Sequence, residues 1–208
     1  MEKVKIVKIG GNIVDNPQAL EQFLGNFHKL EGPKVLIHGG GKIASQLSKE
    51  LGIEVKMHNG RRITDYETLK LVTMVYAGLI NKQIVAALQQ RGCKAVGLSG
   101  ADGNSVPAVK RAANPIDWGF VGDVNPADIN ADFLQLLLEG GYVPVFCAIT
   151  HDSNGSLLNT NADTMASSLA RALSGRFQTS LVYCFEKDGV LANPDDDSSV
   201  IPLITRES

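Results

Sequence analysis

Residues 4–12 read V-K-I-V-K-I-G-G-N, a short apolar stretch that runs straight into a Gly-Gly pair. Val4, Ile6, Val7 and Ile9 carry the signal of a buried strand. Gly10 and Gly11 let the backbone bend tightly and let a ligand approach main-chain N–H groups. One cation, Lys8, stands just before the turn. A lysine, bare backbone amides and the carboxyl end of a strand are the ingredients of a phosphate site. A solvated strand-end lysine beside an ordinary turn is the simpler alternative.

The same pattern recurs. Asn16-Pro17 opens a helix with Pro17 in the first helical position, Leu20, Phe23, Leu24, Phe27 and Leu30 follow at helical spacing, and Gly32-Pro33 ends it. Lys34–His38 (K-V-L-I-H) is a second strand that runs into Gly39-Gly40-Gly41 and a helix marked by Ile43, Ala44, Leu47 and Leu51. A third strand, Ala95–Leu98, ends in S-G-A-D-G at 99–103. Strand, glycine turn and helix in alternation predict an α/β fold with a parallel sheet. Ligands of such sheets bind outside the carboxyl ends of the strands, so the glycine turns are expected to line one crevice. Three glycines feeding a helix N-terminus favour anion binding there. Neither G-x-x-x-x-G-K-[ST] nor G-x-G-x-x-G occurs, which argues against P-loop and Rossmann mechanisms.

Between and beyond these units, 54–63 reads as a hairpin or loop carrying N-G-R-R at 59–62, and Thr64 with Glu67 as a capping box. A long helix over 65–91 follows, with Leu69, Val72, Tyr76, Leu79, Ile80, Ile84 and Leu88 giving it a wide apolar face and Gly92 its cap. Residues 106–124 suggest a β-excursion, Ala131–Glu139 a helix closed by Gly140-Gly141, and 142–149 a strongly apolar strand. A tight turn at 152–155 precedes N-T-N-A-D at 159–163, a helix, and a strand over 180–185. Residues 200–204 read as a last strand, and Thr205-Arg206-Glu207 as the opening turn of a helix that does not continue, the pattern expected of a chain cut within a domain.

With 208 residues, 44% hydrophobic and 20% charged, the composition is that of a globular domain with ample core. A net charge of -2 gives no reason to expect nucleic acid or an anionic membrane as partner. Lys3, Lys5 and Lys8 interrupt the only N-terminal apolar run, and no unbroken apolar stretch is long enough to span a bilayer, so a soluble cytoplasmic protein is expected. Cys93, Cys147 and Cys184 are odd in number and far apart, as reduced core residues are.

Several side chains suit anion chemistry. A planar guanidinium captures a carboxylate bidentately, and Arg61 and Arg62 are equally available for that. Asn159 and Asn161 flank Thr160, so both amides point to one side of an extended segment; Asn161 is equally a helix N-cap. Asp163 falls in the first turn of the following helix, where a carboxylate is favoured and from which it can anchor a lysine such as Lys8. His28, His38, His58 and His151 lack metal-ligand spacing, with His38 placed to orient the glycine turn, and no metal-ligand set is expected. Asp195-Asp196-Asp197 is most simply a solvated loop.

Taken in order, I-V-K-I-G-G, I-H-G-G-G, N-G-R-R-I-T, G-L-S-G-A-D-G, G-F-V-G-D-V-N, G-Y-V-P-V and L-L-N-T-N-A-D resemble the amino acid kinase family, in particular its N-acylglutamate branch, over residues 5–189. The resemblance implies a three-layer αβα sandwich around an open, mainly parallel sheet. An acylglutamate-binding and dimerisation lobe would span 1–176 and the start of an ATP-binding lobe 177–208. It implies transfer of the γ-phosphoryl group of ATP, with Mg²⁺, to the side-chain carboxylate of an N-acetyl- or N-succinyl-L-glutamate in arginine biosynthesis. Lys8 would neutralise the transferred group and Asp163 would organise the catalytic lysines. Gly10, Gly11, Gly40 and Gly41 would donate N–H bonds to phosphate and substrate, and Arg62, Asn159 and Asn161 would hold the acylglutamate. The helix over 65–91 would pair two subunits into an arginine-insensitive homodimer. Members of the family continue past the position of Ser208 with a second catalytic lysine, so the nucleotide lobe is expected to be incomplete, and the alternatives to an active acylglutamate kinase are a truncated, non-catalytic protein that binds acylglutamate or dimerises and another member of the family. F-E-K-D-G at 185–189 replaces the family's usual S/T-D-V-x-G, and puts Lys187, Asp188 and Gly189 at the phosphates.

Overall fold

The computed structural model describes residues 1–193 and 195–205. Five parallel strands form one sheet in the order β11-β1-β2-β8-β5: β1 (Lys3–Ile9), β2 (Lys34–His38), β5 (Ala95–Leu98), β8 (Val143–Cys147) and β11 (Gln178–Cys184). Every residue of β2 and β8 is buried, as parallel strands covered on both faces are, and the two polar ones, Lys34 and His38, are hydrogen-bonded to backbone carbonyls. Side chains alternate between two cores. Val7, Ile9, Leu36 and Val145 face the helical run of 66–90, whereas Ile6, Val35, Ile37 and Phe146 face α6 (Ala131–Glu139) and α7 (Ala162–Leu173). The result is the expected αβα sandwich. β11 pairs with β1 along its full length, so a lobe boundary drawn at 176–177 falls within one continuous sheet.

Three two-stranded antiparallel ribbons stand apart from this sheet: β3 (Lys56–His58) with β4 (Arg61–Ile63), β6 (Val109–Lys110) with β7 (Gly122–Asp123), and β9 (Ile149–His151) with β10 (Leu157–Asn159). Isolated bridges Thr64↔Gly119, Pro107↔His151 and Val121↔Asn159 tie them together.

Local details differ from the sequence reading. The Gly-Gly turn after β1 opens a short helix, α1 (Gly11–Val14). The next helix, α2 (Pro17–Phe27), stops well before Gly32, and Lys34 Nζ donates to the carbonyls of Phe27, His28 and Leu30 at its end. Thr64 and Glu67 form no capping box: Asp65 is the N-cap and accepts from Thr68 N at 2.8 Å, while Thr64 is buried. The long helix consists of α4 (Tyr66–Thr73), a π-helical segment (Met74–Ile80) and α5 (Asn81–Gln90). Tyr66–Gln90 is long and apolar enough to cross a bilayer, but Leu71, Val72, Ile80 and Ile84 are buried in the core of this fold. The strand over 142–149 breaks at Ala148 into β8 and β9. The strand expected at 200–204 does not form. Pro202 removes a ladder donor, and only a bridge between Leu191 and Val200 remains. Arg206 and Glu207 lie outside the described residues.

At the junction of β2, β8 and α5 the backbone is locked by a buried polar pair. His38 Nδ1–H donates to Gly39 O at 2.8 Å, and Nε2 accepts from Asn81 Nδ2 at 3.1 Å. The second Asn81 amide hydrogen goes to Val145 O at 2.9 Å. Burial pushes the His38 pKa down to about 4, so the imidazole is neutral. Below pH 6.5 the unfolded imidazole takes up a proton that the folded one refuses. The contribution is therefore complete above pH 6.5 and is lost as pH falls towards about 4. Urea unfolding at pH 7.5 and pH 4.5 is expected to show wild type losing on the order of 2–3 kcal/mol more than His38→Gln on acidification. Equal losses would contradict a buried neutral His38.

Candidate active site

The parallel register sets Ile9 opposite His38, so the glycine turns after β1 and β2 leave the sheet at one level. Above them lies a cavity of about 620 Å³. Its floor is built from Lys8, Gly11 and Gly39-Gly40-Gly41, and its walls include Arg61, Arg62 and residues 159–163.

Lys8 and Asp163 meet at 2.8 Å. Lys8 is the penultimate residue of β1, and Asp163 lies in the first turn of α7, whose N-cap Asn161 accepts from Thr164 N at 2.9 Å. The carboxylate is thus favoured both by the helix N-terminus and by the lysine. The N-cap reading of Asn161 holds, and only its NH₂ group is left to face the cavity that it lines. Asn159 Nδ2 donates to Thr64 Oγ1 at 3.0 Å, which explains why Thr64 is buried rather than capping.

The two glycine turns are not equivalent. Gly10 is not bare, because its N–H donates to Cys184 O at 2.9 Å; Gly11 reaches the cavity, in the first helical position, where a short helix cannot use the N–H. Gly40 is the N-cap of α3 (Gly41–Glu50), at φ 156°. A Cβ there would sit 2.3 Å from Ile80 Cδ1 and 3.1 Å from Tyr76 Cδ1, so glycine lets the long helix press against the turn.

Of the two arginines offered by the sequence, Arg62 is buried and Arg61 exposed. Arg62 Nη2 donates to Gly41 O at 3.0 Å and Ser45 Oγ at 2.7 Å, while the buried Nη1 has no partner. An unsatisfied buried charged donor costs at least ~1–3 kcal/mol, which an incoming carboxylate would recover. Tyr76 lies beside it; burial pushes its phenol pKa up and the Arg62 guanidinium opposes that.

Lys187, Asp188 and Gly189 do not line this cavity. Lys187 is paired with Asp197, so that aspartate belongs to an ion pair rather than to a merely solvated loop. Sequence reasoning missed Lys42, Ser45, Arg111 and Trp118, all of which line the cavity. Arg111 donates from Nε to Asp123 at 3.0 Å and lies 5.5 Å from the Trp118 ring centroid, so the β6–β7 ribbon brings a cation and an aromatic to the rim. Among the described residues no three His, Cys, Asp or Glu side chains converge as a metal-ligand set.

The model of the amino acid kinase family matches residues 3–208. An acetylglutamate kinase of Phocaeicola vulgatus is 56% identical over 206 residues, covering 99% of this chain and 79% of the relative. The acetylglutamate kinase of Cytophaga hutchinsonii is 56% identical over 209 residues, covering 100% of this chain and 78% of its own. That of Methanopyrus kandleri is 36% identical over 208 residues, covering 98% and 80%. Among solved structures, the smu.665 protein of Streptococcus mutans superposes with a TM-score of 0.78 at 28% identity, over 91% of this chain and 75% of that one. The N-acetylglutamate synthase of Neisseria gonorrhoeae gives 0.74 at 22% identity, over 92% and 43%, a likeness of fold alone.

The Gly40 contact is directly testable. Gly40→Ala is expected to lose about 1–3 kcal/mol in urea unfolding through overpacking against Ile80. Gly25→Ala, in α2 with nothing within 4 Å of the new methyl, is expected to gain about 0.5–1 kcal/mol. Equal effects would contradict the close packing of the long helix on the turn.

Proposed function

The chain belongs to the amino acid kinase family and is a phosphotransferase; from that premise we propose that it phosphorylates the side-chain carboxylate of an N-acyl-L-glutamate, acetyl or succinyl, on the route to arginine. The names of the similar acetylglutamate kinases support this substrate class. The observation that carries it is the buried, half-satisfied Arg62 in one cavity with Lys8, Asp163 and the glycine turns.

Each group then has a task. Arg62 offers Nη1 to the α-carboxylate, and Asn159 and Asn161 offer amides to the acylamino group. The side-chain carboxylate attacks the γ-phosphorus of ATP. A bond forms from carboxylate oxygen to phosphorus, the bond to the β-phosphate oxygen breaks, and ADP leaves with that electron pair. The attacking group is already an anion, so no general base is needed, which fits a cavity whose lining includes no histidine among the described residues. What the step does need is positioning and positive charge. Lys8 supplies charge, Asp163 holds it in place, and the N–H groups of Gly11 and Gly41 face the oxygens. Mg²⁺ would add charge neutralisation at the phosphates when bound. The single carboxylate of Asp163 fits a metal that keeps its waters and is held mainly by substrate oxygens. The outward face of the long helix exposes Tyr66, Met74 and Leu79, and we assign to it the contact of a homodimer.

Trapping the acyl phosphate as a hydroxamate tests the reading. Wild type with ATP is expected to give hydroxamate from N-acetyl- or N-succinylglutamate, and the ratio of the two identifies the acyl group. Lys8→Ala is expected to lose ~10²–10³ in kcat with nearly unchanged acylglutamate affinity. Arg62→Ala is expected chiefly to raise KM for the acylglutamate. A Lys8→Ala enzyme with normal kcat, or no hydroxamate from either substrate, would contradict the assignment.

A further inference from the structure

Three side chains make a row across the carboxyl ends of three adjacent strands. Glu186 follows β11, Asn12 follows β1 in α1, and Lys42 follows β2 in α3, and these strands are neighbours in the sheet. The Asn12 amide donates to the Glu186 carboxylate, and the Asn12 carbonyl oxygen accepts from Lys42 Nζ. Lys42 lines the cavity that holds Lys8.

Helix physics gives Lys42 no reason to be there. It occupies the second position of a ten-residue helix, where the macrodipole repels a cation. The first turn of α3 contains no acidic residue to compensate. The bonded partner is a neutral amide, and among the described residues no carboxylate forms an ion pair with Lys42. Two carboxylates stand further off. One is Glu186, beyond Asn12. The other is Asp15, whose pKa burial pushes up while the Lys42 charge and the Ile43 backbone N–H, at the start of α3, oppose that. Lys8, in contrast, is matched directly by Asp163. The same cavity holds Arg62, which is 9% exposed and keeps Nη1 unpartnered for the acylglutamate carboxylate, so Lys42 borders a cavity already suited to anions.

An ATP phosphate chain entering over the glycine turns meets one lysine in a direct ion pair with Asp163 and one, Lys42, that no carboxylate contacts directly and whose charge acts on Asp15 only at a distance. We propose that Lys42 is a second phosphate-binding cation of this site, contacting the nucleotide's triphosphate and held in position by Asn12 and Glu186. The assignment rests on the phosphotransfer reading above. It accounts for a cation kept where its own helix disfavours it, because the stability forgone at the helix end returns as attraction for polyphosphate.

The test is calorimetric titration of ATP and of inorganic tripolyphosphate into wild type, Lys42→Met and Lys49→Met, with melting curves of all three. Lys42→Met is expected to bind both about tenfold or more weakly, as loss of a charge-assisted contact does. Its melting curve is expected to stay cooperative, so that weaker binding reports the lost contact and not unfolding. Lys49→Met, in the last turn of the same helix, is expected to bind as wild type does. In turnover, Lys42→Met is expected to lower kcat and leave KM for the acylglutamate unaltered. A Lys42→Met protein that binds tripolyphosphate as tightly as wild type, or a wild type that binds neither probe, overturns the proposal. If wild type makes no acyl phosphate yet Lys42→Met still loses tripolyphosphate, the proposed reaction fails and this site stands.

Discussion

The parallel pairing of β1 with β2 is the constraint on which the rest depends. Because Ile9 lies opposite His38, the two strands end together and their glycine turns open side by side. A slip of one residue would turn Val7 and Ile9 from one core to the other and carry Lys8 off the cavity. The register is held from behind by His38, whose two ring nitrogens tie Gly39 and Asn81, and by the long helix closing on Gly40. The same side chains that pack the core thus fix the place of the glycine turns.

Charge placement then follows from the ends of elements. A strand end presents Lys8, and the start of α7 presents Asp163. The β3–β4 ribbon tucks Arg62 beneath α3. None of these is a general base, and attack by a carboxylate requires none. A phosphotransferase acting on an anionic acceptor must overcome repulsion between acceptor and phosphate, and a cavity with more donors and cations than carboxylates is suited to that.

Much of this was legible in the sequence, for physical reasons that can be named. Apolar runs ending in glycine mark strands whose ends must stay open to a ligand, and Asp163 in a helix's first turn marks a carboxylate in a favourable field. The Thr64 capping box failed because an equally good cap, Asp65, is the next residue, and because Thr64 has a tertiary task with Asn159. The choice between Arg61 and Arg62 depended on which way a two-stranded ribbon faces, which alternation alone does not settle. Lys42, Arg111 and Trp118 reach the cavity through contacts between separate elements, and the π-helical segment at Met74–Ile80 has no side-chain periodicity to announce it. Gly10 illustrates the converse. Its residue type was read correctly, but its N–H is taken by β11, a strand nearly the whole chain away.

Phosphoryl transfer to carboxylate oxygen is the central claim, and isotope labelling tests it most directly. N-acetyl- or N-succinylglutamate carrying oxygen-18 in both side-chain carboxylate positions is incubated with ATP and wild type, trapped with hydroxylamine, and the released phosphate read by phosphorus NMR. Hydroxylamine attacks the carbonyl carbon and expels phosphate with the bridging oxygen. The expected result is therefore one oxygen-18 in each phosphate released with hydroxamate. Unlabelled phosphate would mean that water, not the carboxylate, took the phosphoryl group, and would contradict the account.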